Sequence, residues 1–292
     1  MEFRTKNKIT NNMKNNLIKS LLVLLYAGIN FNTVIAQGAY FTVGTGYNLP
    51  TSTQTLDGMS FYNETITDNS TTYQQNYVSL GKGLNVGGAF GYIFNEHIGA
   101  ELGVSYLIGS TWESVTEYNS NFSGSNMKFT NQISSKMARV NPQIVMSFES
   151  NRITPYAKVG LMLGAGSMTV NGLLNDNSSV TEQTLFYTGG IATGFTTTIG
   201  ASVALNDKIS FFGDLNLVNM SYSPTKGVLT KYTEDGLDLL PSFDLIDKEI
   251  QFVDSYVEDD NVQPAITEPA KALKMKFPFS SCGLYFGIKY TL

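Results

Sequence analysis

One histidine and one cysteine in 292 residues leave little for nucleophilic or metal chemistry to use. His97 falls in the segment Asn95-Glu96-His97 between two alternating apolar runs, where a histidine is a turn residue before it is a base. Cys282 alone forms no intramolecular disulfide and reads as a small apolar residue. The carboxylates offer different chemistry. Glu234, Asp235, Asp238, Asp244, Asp247, Glu249, Asp254, Glu258, Asp259 and Asp260 crowd one stretch, and clustered hard oxygens are what calcium takes. Their spacing is not that of a calcium-binding helix–loop–helix, so the run reads as a solvated surface, and no metal or other cofactor is expected. Ile246, Ile250, Phe252, Val253 and Val257 are mixed into it and fit either a short helix or prolonged strands. The remaining candidates are single charges set among small and polar residues: Glu101, Arg139, Lys158, Asp214 and Lys289.

These charges lie on elements with a period of two. The last residues read CGLYFGIKYTL: Cys282, Leu284, Phe286, Ile288, Tyr290 and Leu292 alternate with Gly283, Tyr285, Gly287, Lys289 and Thr291. Such alternation marks a strand with two unlike faces. Residues 38–47, 83–94, 98–108, 136–148, 153–166, 190–205 and 209–221 read the same way. Short turns follow 94, 148 and 205, and the polar stretches 48–82, 109–135, 167–189 and 222–278 read as long loops. Pro142 lacks a ladder donor and predicts a bulge. Long and short connections alternate. The expected fold is therefore all-β: an eight-stranded antiparallel up-and-down transmembrane β-barrel with long extracellular loops and short periplasmic turns.

Composition agrees with a bilayer address. Only 15% of residues are charged, while glycine (27), tyrosine (16) and phenylalanine (18) are abundant. Lys6, Lys8, Lys14 and Lys19 precede the apolar run 21–27, and Val34-Ile35-Ala36 precedes Gln37. That order predicts a cleaved signal peptide over 1–36, with residues before Met13 as an upstream extension, and a single barrel domain over 37–292. The net charge of −5 gives no reason to expect a nucleic-acid partner.

In so narrow a barrel, small and polar residues suit the interior, so the Leu/Val/Ile/Phe face must meet lipid. Phe41, Phe94, Phe148, Phe211 and Tyr290 then form one aromatic belt at the short-turn end. Tyr47, Tyr106, Trp112 and Tyr222 form a second at the long-loop end. The inward glycines, Gly44, Gly46, Gly87, Gly91, Gly103, Gly160, Gly200 and Gly287 among them, make room for neighbouring side chains and let the sheet curl. Counting residues from each turn sets Lys158 level with Asp214 and Glu101 level with Lys289, and unpaired charges there would be costly. A lumen ion network is expected.

The segments GLNVGGAFGYIFNEHIGAELGVSYLIG and ITPYAKVGLMLGAG, with the closing strand, resemble the OmpA/OmpX-like small outer-membrane barrels, and most closely the outer-membrane β-barrel domain of Bacteroidetes-type bacteria. Tyr285, Gly287, Tyr290 and Leu292 resemble the family's C-terminal assembly signal, with Leu292 in place of the usual aromatic. The resemblance implies integral residence in the outer membrane and a lumen plugged by polar and charged side chains. It implies as partners membrane lipids, lipopolysaccharide and, during insertion, the barrel-assembly machinery. Barrel hydrolases of this class need a histidine base near the outer rim, and His97 sits at the other end, so no enzymatic activity is expected. The expected role is structural or surface-interaction (adhesion or binding), with loops 48–82 and 222–278 contacting an extracellular ligand. The alternatives are a narrow porin-like channel or a non-catalytic subunit of an envelope assembly or secretion complex.

Overall fold

Glycine, aromatic and β-branched residues at alternating positions build long strands. The computed structural model describes residues 38–56, 61–120, 126–148, 152–257 and 265–292. The leader expected over 1–36 lies outside the described residues, as do Glu258, Asp259 and Asp260. Eight strands form a ring: β1 (Gly38–Pro50), β2 (Gly83–Ile93), β3 (Ile98–Gly109), β4 (Asn126–Ser147), β5 (Ile153–Asp176), β6 (Ala192–Ala204), β7 (Ile209–Tyr222) and β8 (Ser281–Thr291). Each pairs antiparallel with the next, and β8 returns to β1 from Tyr40↔Thr291 to Pro50↔Ser281.

The ring is strongly staggered. Stepping across the ladders, Tyr40 stands opposite Gly91, then Glu101, Gln143, Gly160, Thr196, Val218 and Ser281, and the path re-enters β1 at Pro50. This displacement tilts the strands by roughly 40° and gives an eight-stranded cylinder whose interior admits only side chains.

Two short turns use one device. Asn95 Oδ1 accepts from the backbone N–H of His97 (2.9 Å) and of Ile98 (2.8 Å). Asn206 Oδ1 accepts from Lys208 (3.0 Å) and Ile209 (2.8 Å) in the same way. The asparagine side chain replaces a backbone acceptor and fixes where each strand reverses. Pro142 produces no bulge: pairing of β4 with β5 lapses after Val140↔Leu163 and resumes at Gln143↔Gly160 in the same register. The missing donor is absorbed by a gap in the ladder.

The four polar stretches are not loops throughout. Tyr62–Thr67 and Thr71–Gln75 form a hairpin, and β4 and β5 run on to Asn126 and Asp176. Trp112–Asn119, Ser179–Thr188, Lys226–Glu234, Glu249–Val253 and Ala270–Leu273 are further strands, and Leu245–Lys248 is one helical turn. They pair side by side into a sheet that prolongs one wall of the ring. Their Thr-, Asn- and Gln-rich sequences keep the backbone ladder but have water on their outer face, so apolar alternation fades while pairing persists.

Outside the ring, Val43, Phe90, Leu102, Val104, Ile144, Leu161, Ile199, Phe211, Phe286 and Ile288 are all exposed. Phe41, Phe94, Phe148 and Tyr290 lie with Phe211 on this face near the short turns, and Tyr47 and Tyr106 lie on it near the other end. Two members of the expected second belt do not. Tyr222 is fully buried and its hydroxyl donates to the carbonyls of Gly166 (2.8 Å) and Gly189 (2.7 Å). Trp112 is half-buried, packs on the apolar cluster at the barrel mouth and stacks under the Lys82 ammonium (5.0 Å). Tyr222 occupies an even position of β7, an inward one, and Trp112 begins a strand beyond the ring. An arginine placed at Val104, midway along the outward face of β3, should destabilise the barrel by about 2–4 kcal/mol, read as a lower urea midpoint for unfolding from lipid bilayers. An unchanged midpoint would mean this face does not meet lipid.

Candidate functional site: the barrel interior

The inward positions of the ring form three layers. The middle layer is charged. Glu101 (5% exposed) accepts from Lys158 Nζ at both carboxylate oxygens (3.0 Å each), from Gln143 Nε2 (2.6 Å) and from the Tyr40 hydroxyl (2.7 Å). A buried pair with its lone pairs filled in this way offsets the desolvation of both ions. Lys158 also lies over the Tyr156 ring (5.0 Å), and the Tyr156 hydroxyl donates to Asp214. Arg139 (2% exposed) donates to Asn85 Oδ1 (3.3 Å). Lys289 sits over the face of the Tyr40 ring (4.3 Å).

Glycines let these side chains cross. Tyr40 and Glu101 flank Gly91 on neighbouring strands, and a methyl on Gly91 would overlap the Tyr40 ring. Asp214 and Tyr156 meet over Gly200 in the same way, and Tyr285 lies over Gly44 and Gly46 with its hydroxyl donating to the Gly44 carbonyl (2.8 Å). Gly287 has no room for a methyl beside Val43 O and Phe212. The missing side chain is thus the feature selected at these positions: it opens a path for a partner two strands away.

Toward the strand-rich end, the lumen becomes apolar. Leu107, Met137, Met162, Ala192, Val218, Met220 and Tyr222 point inward. Val78 and Leu80, together with Phe277 and Phe279, fold over them from the two longest connections. Ser79 Oγ donates to the Ser280 carbonyl (2.5 Å) and the Leu80 N–H to the Pro278 carbonyl (2.8 Å), so the two segments lock together. Above them, Tyr187 and Phe252 pack with ring centroids 5.8 Å apart, and burial pushes the Tyr187 hydroxyl above its ordinary range. This is a dry cap of ordinary core packing.

Between charge and cap, Asn48, Arg139, Gln143 and Asp214 line a cavity of about 80 Å³. Asn48 Nδ2, Arg139 Nε and Gln143 Oε1 have no hydrogen-bond partner among the described residues, and such a polar space suits ordered water. On the short-turn side, a larger cavity of about 360 Å³ is open to solvent.

The structure brings the five inward charges into one region but changes the partners. Lys158 pairs with Glu101 and not with Asp214, and Lys289 takes an aromatic face in place of Glu101. Counting heights from each strand's own turn ignores the stagger of the ring, which carries neighbouring strands past one another. The apolar cap was missed because its residues are scattered singly through polar stretches; the signal was the pair of short runs Val78-Ser79-Leu80 and Phe277-Pro278-Phe279. In the acidic stretch, Glu249 pairs with Lys226 (2.9 Å) and Asp254 with Lys274 (2.9 Å). Asp235 and Asp238 accept backbone N–H bonds from Val180 and Leu240. Among the described residues no group of three or more His, Cys, Asp or Glu is placed to hold a metal ion. His97 is exposed in its turn, with Nδ1 3.3 Å from the Ser147 carbonyl.

A closed ring with an apolar exterior and a polar, side-chain-filled interior defines a membrane β-barrel. The chain belongs to the outer membrane protein beta-barrel domain family, whose model matches residues 36–239. It is accordingly an outer-membrane protein. The match ends before β8, the strand that closes the ring. A solved structure similar to it is that of the outer membrane protein OprG from Pseudomonas aeruginosa, with 11% sequence identity, a TM-score of 0.41, and 88% of this chain and 97% of that one covered. No curated protein matches the chain in sequence.

Replacing Lys158 with methionine should leave the Glu101 carboxylate buried without its cation and cost about 3–5 kcal/mol, measured by urea unfolding in micelles. Adding Glu101→Gln to that variant should restore most of the loss. Equal losses in single and double variants would show the pair contributes nothing as a pair. Gly91→Leu should destabilise the barrel by pushing the Tyr40 ring off Glu101, and Tyr40→Ala in the same chain should relieve part of the cost.

Proposed function

We propose that the protein is a plugged outer-membrane barrel that displays a rigid binding sheet at the cell surface. The observation that carries this reading is the length of β4. Its outward face turns polar at Lys136, yet it stays paired for ten residues more, to Asn126, roughly 30 Å of extended strand beyond the apolar band. A structure that large would serve no purpose in anchoring. The strand-rich end is the extracellular one, since small outer-membrane barrels carry their long connections outside and short turns in the periplasm. In an oriented bilayer both Gly38 and Leu292 then face the periplasm.

The prolonged sheet is held across its strands by Lys128–Glu117 (2.9 Å), Lys231–Glu182 and Lys226–Glu249. Each such exposed pair contributes little alone. The sheet presents Tyr73, Tyr77 and Leu237 to solvent at its margins. Exposed aromatics on a fixed backbone are efficient anchors for a protein or glycan surface. Transport as a narrow pore would require both the Glu101–Lys158 layer and the apolar cap to move. Catalysis has no support from the single histidine in its periplasmic turn.

Wild-type protein in planar bilayers should show no large steady conductance at neutral pH; a stable open level would overturn the plug. Cells expressing a variant with Tyr73→Ala and Tyr77→Ala should lose surface adhesion several-fold while the folded barrel persists in the outer membrane, read by gel mobility of unheated samples. Undiminished adhesion would remove Tyr73 and Tyr77 from the binding surface.

A further inference from the structure

The cavity at the short-turn end has features of a built binding site. It holds about 360 Å³, near the lower bound for small-molecule pockets. Its inner wall is the Glu101–Lys158 pair, and the rings of Tyr40, Tyr156 and Phe212 line its sides. Thr42, Ser202 and Thr291 add hydroxyls that make no hydrogen bond among the described residues.

Lys289 lines the same cavity. Lys158 is satisfied by both oxygens of Glu101, but Lys289 has only the Tyr40 ring face and no ion pair among the described residues. Asp214 is the other inward carboxylate, and it is engaged by Tyr156 and lines the smaller cavity beyond the Glu101–Lys158 layer. Within the vestibule lining, Lys158 and Lys289 face the single carboxylate of Glu101, so its inner surface carries one positive charge in excess. A cation in a partly dry, aromatic-walled space attracts an anion far more strongly than one in water.

We propose that this vestibule binds a small organic monocarboxylate, entering from the short-turn end. Lys289 pairs with the carboxylate, the three hydroxyls donate to it, and the rings of Tyr40, Tyr156 and Phe212 enclose a compact aromatic or aliphatic body. One cation without an ion pair in the vestibule lining, Lys289, calls for one negative charge. A dianion such as phosphate would set surplus charge near the Glu101 carboxylate and leave the rings without a partner. Entry is one-sided because the apolar cap closes the other end.

The test uses the full mature barrel refolded in micelles, with benzoate as probe, benzamide as its neutral counterpart and inorganic phosphate as the anion without a body. Amide shifts of Gly38 and Thr291 in nitrogen-labelled protein report occupancy. Benzoate should bind saturably with a Kd on the order of 1 mM, and benzamide and phosphate at least tenfold more weakly. Lys289→Gln should erase the preference for benzoate over benzamide, and Lys289→Arg should retain it. Equal affinities for benzoate and benzamide on the wild-type barrel would overturn the proposal without recourse to any variant. So would phosphate binding as tightly as benzoate, or a Lys289→Gln barrel that binds benzoate as the wild type does.

Discussion

The pairing of β8 with β1 is the contact on which the rest of the structure depends. A bilayer offers no water to a strand edge, and each unsatisfied backbone group there costs several kcal/mol. A closed ladder removes both edges at once. The ring closes with a stagger that brings the path from Tyr40 back to Pro50, and this displacement sets the strand tilt and the barrel's width. Width in turn decides what the interior can be. Eight strands leave space for side chains and small cavities and none for a broad aqueous channel.

Inside that space, electrostatics and sterics act together. Low local dielectric makes an unpaired Glu101 or Lys158 expensive, and the pair becomes favourable because Gln143 and Tyr40 complete the carboxylate's hydrogen bonds. Tyr40 reaches Glu101 only because Gly91 leaves the way open. The glycines that look like weak strand residues are therefore what permits a network spanning several strands. The apolar cap adds a second seal by ordinary close packing, and its Ser79–Ser280 contact joins two connections across a sequence separation of 201 residues.

The strands of the ring run on into a sheet beyond the apolar band. Lipid holds the band of Leu, Val, Ile and Phe, and water surrounds the prolonged β4 and β5. The two regions share strands but answer to different solvents, so the same backbone ladder carries two unlike amino-acid patterns. Strands in the bilayer alternate strictly because one face meets lipid. Strands beyond it alternate weakly because the outward face meets water and the inward face meets only part of the cap.

The lipid-facing period of two, the eight ring strands, their short asparagine turns and the inward positions of Glu101, Arg139, Lys158, Asp214 and Lys289 were legible in the residues alone. Each depends on a local rule: which way a side chain points from a pleated strand, or which residue closes a turn. The partners of those charges, the burial of Tyr222, the cap built from Val78, Leu80, Phe277 and Phe279, and the strands hidden in polar stretches were decided only by the tertiary structure. They depend on the stagger between strands and on segments that meet across the barrel mouth. Such distances are set by how the ring closes, and no single stretch of the chain carries that information.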